Sequence, residues 1–420
     1  MRTRPAPCGA ASPVITGLGV WGGGLAGRDA LAAALREDRG AAFEALELPP
    51  LDEAVPMVAL GDPAADIARW LEVLDADASR AAQRALRRAP ASAQATLLAA
   101  LDAWSQAGAP GRDCALVASA QHAGAAELLR AQPGFLADPG FVDPALMVVA
   151  QDSYAASLVS ELLDLRGGAA VVGAAQAGGL FALIDAARLL CTGEAEAVLV
   201  LGVPGLPGAL EAGAYRALGA LAGFTQGGEA SGVPFDATST GFVPSGIAAA
   251  LVLERAEAAT ARGATPLARL AGWATQLHAS AQPSPDLATE IAVMHGALDM
   301  AGIDVAQVAL VSAHATGTPL GDRVEAEAIA ALFGARPWVN APKSLFGHAL
   351  SAAGVFETVC CVLQMAAGHA HGNRGLTRAQ VDGPRYVPAG GVDVALPAVL
   401  KTAFGFGGFN AAVALTEAGA

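Results

Sequence analysis

The chain is short of charge and shorter still of lysine. Only 15% of its 420 residues are charged, and just two of its 25 basic residues, Lys343 and Lys401, are lysines. That low charge, set against 54% hydrophobic residues, excludes a disordered chain, which needs the reverse composition. Acidic residues number 39 and the formal net charge is −14, so the phosphate-neutralising excess behind non-specific nucleic-acid binding is missing. Cysteine is scarce too. Cys8, Cys114, Cys191, Cys360 and Cys361 include no CxxC pair and are odd in number. They imply neither a zinc site nor a disulfide framework, and a reducing, cytoplasmic setting is expected. After Met1-Arg2-Thr3-Arg4, the prolines Pro5, Pro7 and Pro13 interrupt any leader-like apolar run. The most apolar stretch, Ala197 to Gly208, is broken by Pro204 and Pro207, well short of the ~20 residues of a membrane span. A soluble protein is expected.

What the chain has in quantity is small and apolar residues, 50 glycines among them, arranged in a weak internal repeat. Its length exceeds the usual single domain, so two domains or one duplicated unit is expected. Val14 to Gly19 reads as a strand, Arg28 to Arg36 as a helix, residues 43–75 as loops with short helices, and Ser92 to Gln106 as a helix. Asp113 to Ala120 is a buried-strand pattern leading into a loop and a helix, and Val308 to His314 repeats it. Ala169 to Gly173, then Gln176, then the helix Leu180 to Leu190 is matched by Trp338 to Asn340, Lys343 to His348 and the helix Ala352 to Met365. Ala197 to Leu201 matches Val399 to Ala403. Strands alternating with helices favour a mainly parallel sheet between helix layers, here in two copies, 1–254 and 255–420.

Two histidines and a lysine fall at the mouths of these units. His314 follows a strand in Ala313-His314-Ala315-Thr316-Gly317-Thr318, and His348 closes Lys343-Ser344-Leu345-Phe346-Gly347-His348. Two neutral imidazoles facing one carbonyl can donate hydrogen bonds to a developing oxyanion or enolate. A lone histidine in an apolar chain is ordinarily structural, but a pair at equivalent loop positions points to function. Where arginine serves nearly every positive position, a retained lysine marks a site wanting a compact ammonium, and Lys343 meets that test. Lys401 meets it as well, although its neighbours assign it no role. Gln176 occupies the corresponding loop of the first half, ahead of a helix N-terminus. A cysteine there would be an activated nucleophile. Glutamine can only hydrogen-bond, so the pocket has the form of an acyl-transfer site without the covalent step. Cys191, Cys360 and Cys361 read as core. In Ala403-Phe404-Gly405-Phe406-Gly407-Gly408-Phe409-Asn410 the glycines leave Phe406 free to gate a pocket, and no P-loop spacing follows.

In order and spacing these motifs, together with Pro234-Phe235-Asp236, resemble the β-ketoacyl-acyl-carrier-protein synthase family of thiolase-fold condensing enzymes over nearly the whole chain. The resemblance implies a duplicated five-layer α-β-α-β-α fold, a dimer, and substrates carried on the phosphopantetheine of an acyl carrier protein, with no cofactor of its own. It matches His314 and His348 to the two catalytic histidines and Lys343 to the active-site lysine. It also matches Thr316 and Thr318 to the pantetheine contacts and Phe406, flanked by Gly405, Gly407 and Gly408, to the gate. Gln176 stands where the family has its nucleophilic cysteine. Gln-Ala-Gly-Gly-Leu resembles the chain-length factors, or KS-beta subunits, of type II polyketide systems, which pair with a cysteine-bearing KS-alpha subunit. Intact histidines beside the glutamine resemble instead the malonyl-carrier decarboxylases that make an acetyl starter. Ser245 stands where the family commonly has Glu, and Ala403 where it has Ser. The expectation is a chain-length-factor-like subunit, with the decarboxylase as the alternative. Arg80, Arg84, Arg87 and Arg88 follow helical spacing and offer a candidate basic face for an acidic carrier.

Overall fold

A computed structural model describes residues 13–419. The leader-like opening and Cys8 lie outside the described residues. Two sets of five strands carry the architecture. The first half supplies β1 (Pro13–Gly22), β2 (Ala115–Ser119), β3 (Ala169–Val172), β4 (Ala197–Gly202) and β5 (Ile247–Arg255). The second supplies β6 (Ala268–Leu277), β7 (Leu310–Ser312), β8 (Trp338–Asn340), β9 (Ala398–Gly405) and β10 (Phe409–Thr416). Their spatial orders are β3-β2-β4-β5-β1 and β8-β7-β9-β10-β6, the same permutation twice. The half-sheets meet where Val14 and Ile15 of β1 pair with Arg269 and Ala268 of β6.

The sheets are mixed, where a mainly parallel arrangement was expected. β2 runs parallel to β3 and β4, and β7 to β8 and β9, but β4–β5, β1–β5 and β9–β10 are antiparallel. The reason is plain at the second half. Only Phe406, Gly407 and Gly408 separate β9 from β10, too few for a crossover, so the chain turns back as a hairpin. Gly407 and Gly408 hold φ of 78° and 80°, the left-handed region that glycine enters freely.

Helices complete the layers. α1 (Ala91–Gln106) covers β1, β4 and β5, and α2 (Tyr154–Leu162) covers β2, on one outer face. On the opposite outer face α4 (Leu287–Ala301) covers β6 and β10, and α5 (Pro319–Phe333) packs on α4. Between the half-sheets lie α3 (Gly178–Thr192) and α6 (Ala353–Ala367), touching strands of both. The result is the thiolase-like α-β-α-β-α fold. A helix apolar on every side belongs in an interior layer, and α6 is buried without a break from Ala353 to Val362. No membrane-length apolar stretch was expected, yet Leu350–Ala367 passes by length and a mean hydropathy of 1.6; 78% of it is buried within the fold.

The two central helices approach backbone to backbone. A Cβ on Gly179 would come within 2.7 Å of the Val355 nitrogen, and one on Gly354 within 2.4 Å of the Leu180 nitrogen. Only glycine permits this crossing, which draws the loop ahead of α3 toward the loop ahead of α6.

Other expectations hold or need revision. The helix Arg28–Arg36 forms as read, while residues 43–75 contain, besides the helix Ala64–Glu72, a strand pair, Glu44–Leu46 with Val55–Met57. Cys360 and Cys361 are fully buried. Cys191 is not core: it is half-buried at the end of α3 and disulfide-bonded, against the expectation of a chain without disulfides. The candidate basic face is partly neutralised, because Arg80 pairs with Asp77 and Arg88 with Asp143.

Candidate active site

Gln176 sits where β3 turns into α3. The turn is tight, with Ala175 at φ 47°, and leaves Gln176 only 8% exposed. Its amide oxygen accepts a hydrogen bond of 3.1 Å from the backbone N–H of Phe406, in the β9–β10 turn. The amide carbonyl is thus held against the backbone of the turn that carries Phe406.

His314 lies just past β7. Its backbone N–H donates to Glu325 Oε1 (2.8 Å) and Thr402 Oγ1 (3.0 Å), and the next N–H, of Ala315, donates to Glu325 Oε2 (2.7 Å). Farther along, Asp322 accepts from the N–H groups of Thr316, Gly317 and Phe235. Two carboxylates in the first turns of α5 thus fix the loop that carries His314, Thr316 and Thr318. The two threonine hydroxyls are 2.9 Å apart.

His348 follows the short helix Lys343–Phe346. Its backbone N–H donates to Val243 O at 2.7 Å. The Leu350 N–H donates to His348 Nδ1 (3.3 Å), which assigns the ring proton to Nε2. That Nε2 is buried and has no protein partner. On His314 the Lys343 ammonium lies 3.5 Å from Nδ1, and an ammonium can only donate, so the proton again falls on Nε2. The two rings stand edge to face with centroids 5.5 Å apart. Burial holds both imidazoles well below their ordinary pKa, and the positive charge of Lys343 pushes the same way. Both are therefore neutral donors.

Both lysines join one cluster. Lys343 Nζ lies 2.5 Å from Glu357 Oε1 and Lys401 Nζ lies 2.7 Å from Glu357 Oε2, all three residues being at most 3% exposed. Lys401 also donates to the carbonyls of Ser312 and Ala313, at the end of β7. It therefore braces the strand that delivers His314, the role its sequence context withheld. Burial lowers the Lys343 pKa to about 8 even against the pull of Glu357.

A cavity of about 380 Å³ gathers Gln176, His314, Thr316, Thr318, His348, Gly405 and Phe406. Gly407 and Gly408 shape the adjoining turn and are not in its wall. Lys343 stands behind the histidines. Glu325, Asp322, Glu357, Thr402 and Glu290 were not singled out from sequence; a Gly-Asp-x-x-Glu spacing at a helix start was the available signal for the first two. Ser245 is buried beside His348, its hydroxyl without a protein partner, and Ala403 is buried in β9. Chemically, the cavity offers two uncharged N–H donors to a growing negative charge and contains no nucleophile at the acyl position.

Two family models match this chain: Beta-ketoacyl synthase, N-terminal domain, over residues 12–259, and Beta-ketoacyl synthase, C-terminal domain, over residues 267–377. The chain belongs to the beta-ketoacyl synthase family. Among its relatives is the polyketide biosynthesis malonyl-ACP decarboxylase PksF of Bacillus subtilis (strain 168), 31% identical over 341 residues, covering 80% of this chain and 82% of that protein. Among solved structures, the ketosynthase of the type II polyketide synthase complex AntDE:AntF, bound to its acyl-carrier protein, aligns with TM-score 0.81 and 25% identity, covering 97% of this chain and 99% of that one. The ishigamide ketosynthase/chain length factor aligns with TM-score 0.82 and 24% identity over the same shares, a likeness of fold.

Proposed function

We propose that this protein decarboxylates a malonyl group carried on the phosphopantetheine of an acyl carrier protein, giving the acetyl-carrier and CO₂. The observation that carries the reading is the pair of neutral, Nε2-protonated histidines facing one cavity with Gln176, whose amide already fills the acyl carbonyl's place. The bond between the α-carbon and the carboxylate breaks, CO₂ leaves, and the electron pair moves into the thioester as an enolate. His314 and His348 donate to the enolate oxygen, which matters most where charge develops. The α-carbon then takes a proton from water, and no carbon–carbon bond forms because no acyl-cysteine awaits attack. Likeness to a malonyl-ACP decarboxylase over four-fifths of the chain supports this order of preference, which reverses the first expectation from sequence.

A space observation points the same way. Past Gln176 a second hollow, of about 20 Å³, is walled by Gln121, His122, Glu211 and Tyr215 among others. Leu206, Pro207 and Leu350 also line it, but at that size it does not hold a long acyl tail.

A KS-beta role within a heterodimer remains the second reading, favoured by one surface. β3 is an exposed edge strand that bares Val171, and Phe135, Leu136, Phe141, Met147 and Val148 in the preceding segment of the chain also expose apolar area. Such an edge, left open, invites pairing with another chain. A cysteine-bearing KS-alpha subunit is the partner proposed, and residues 1–254 and 255–420 are proposed to act as one duplicated unit. Purified protein given malonyl-carrier, with and without that partner, tests both readings. CO₂ release without partner and lost in His314→Ala and His348→Ala is expected; release only with the partner would return the chain to a KS-beta role.

A further inference from the structure

Three carboxyls at 1% exposure line the cavity: Asp322, Glu325 and Glu290. The first two are fully engaged in holding the 314–317 loop, as described above. Glu290 is not. It sits in the first turn of α4, and its Oε2 is buried without any protein partner. The charges that act on it are all negative, those of Glu325, Asp286 and Asp322. Burial first, and then those three carboxylates, raise its pKa well above the usual range. A helix N-terminus favours an anion by about 0.3–1 kcal/mol. Burying an unpaired carboxylate costs far more than that, so the group stays a neutral acid.

A neutral carboxylic acid has an O–H to give. Pro283, Pro285 and Pro319 of the same wall carry no backbone N–H to offer a ligand. Thr316 and Thr318 share that cavity, and their hydroxyls are already bonded to each other.

We propose that Glu290 is a specificity-determining donor, offering its carboxyl O–H to an amide carbonyl of the phosphopantetheine arm as the arm lies in the cavity beside Thr316 and Thr318. The inference rests on the proposed function only for the carrier arm as ligand, not for the decarboxylation. An arm with amides is then preferred over a plain alkyl chain of equal length. Neutrality at residue 290 is part of the recognition, because an ionised carboxylate has no proton to donate.

The test is equilibrium binding of two probes to the full chain: acetyl-pantetheine, and the acetyl thioester of an alkanethiol of the same length without amides. Glu290→Leu should weaken acetyl-pantetheine about 3- to 10-fold, the range of one neutral hydrogen bond. It should leave the alkyl probe unchanged. Glu290→Gln, whose NH₂ is also a donor, should bind acetyl-pantetheine within about 2-fold of wild type, less than one such bond is worth. Because Glu290→Leu replaces an unpartnered polar group by an apolar one, its melting temperature should equal or exceed that of wild type; Glu290→Met serves if leucine disturbs packing. Equal weakening of both probes by Glu290→Leu, no weakening of either, or a Glu290→Gln loss as large as the leucine loss would overturn the proposal. Neither probe can lose CO₂. Failure of malonyl-carrier decarboxylation with these binding results intact would remove the decarboxylase reading and leave Glu290's role standing.

Discussion

The loop ahead of α3 and the loop ahead of α6 occupy equivalent places in the two halves, yet they are built on different scales. The first holds Gln176 by one backbone hydrogen bond, from Phe406. The second sits on a buried network of Lys343, Glu357 and Lys401 that reaches back to the end of β7 and to His314. The contrast separates two functions that a condensing enzyme combines. The side that carries the histidines is held by buried ion pairs, while the position that the family resemblance matches to the nucleophile holds an amide. Burial of three charges is costly, and a chain that needed only cavity walls would gain as much from apolar residues of similar volume.

The strongest way to break this contrast is to remove the network's centre. Glu357→Leu leaves two buried ammonium groups without a counter-charge, and a loss of about 3–5 kcal/mol in denaturant unfolding is expected. A loss below about 1 kcal/mol, typical of exposed pairs, would mean the network is not buried in solution. Next comes the chemistry. His348→Ala should lower malonyl-carrier decarboxylation about 10²- to 10³-fold, the effect of losing one donor to a developing oxyanion, with binding of acetyl-pantetheine little changed. Gly179→Val tests the crossing that joins the two loops. Its side chain meets the α6 backbone, so a destabilisation of about 1–3 kcal/mol is expected, together with loss of activity; an unchanged midpoint would show that the helices can part freely.

The smallest effect is electrostatic. The folded pKa of His348 is depressed by burial, so below about pH 6.5 the unfolded chain takes up a proton that the folded chain refuses. Stability is lost as pH falls through that range, at up to about 1.4 kcal/mol per pH unit for this one group. His348→Asn should flatten the slope of unfolding free energy against pH below pH 6.5 relative to wild type. Taking the difference between the two proteins cancels the opposite slope of buried acids such as Glu290, whose raised pKa favours the folded state as pH falls. Parallel slopes would show that His348 titrates normally.

Much of the site was legible because its motifs are local. His314, Lys343 and His348 each lie within ten residues of a strand or helix boundary that apolar patterning reveals, and the scarcity of lysine marked both lysines of the charged cluster. Gln176 was legible because a strand, a tight turn and a helix surround it. The counter-charge was not. Glu357 lies on a largely apolar helix, and nothing short of the three-dimensional crossing places it between residues 343 and 401. Glu290 was hidden for the same reason, since only the fold brings it to the cavity that holds His314 and His348. Strand direction was half legible: the parallel strands follow from alternation with helices, whereas the β9–β10 return depended on recognising Phe406-Gly407-Gly408 as a hairpin turn. The helix within Leu350–Ala367 was legible, but its length and hydropathy match a membrane span as well as an interior layer, and only the fold separates the two.

The most direct test is the intact mass of a malonyl-loaded acyl carrier protein after incubation with this protein alone. The account predicts conversion to the acetyl-carrier by loss of one CO₂, with no longer acyl species, abolished in His314→Ala. A malonyl-carrier left unchanged, or a β-ketoacyl-carrier formed without a cysteine-bearing partner, would contradict it.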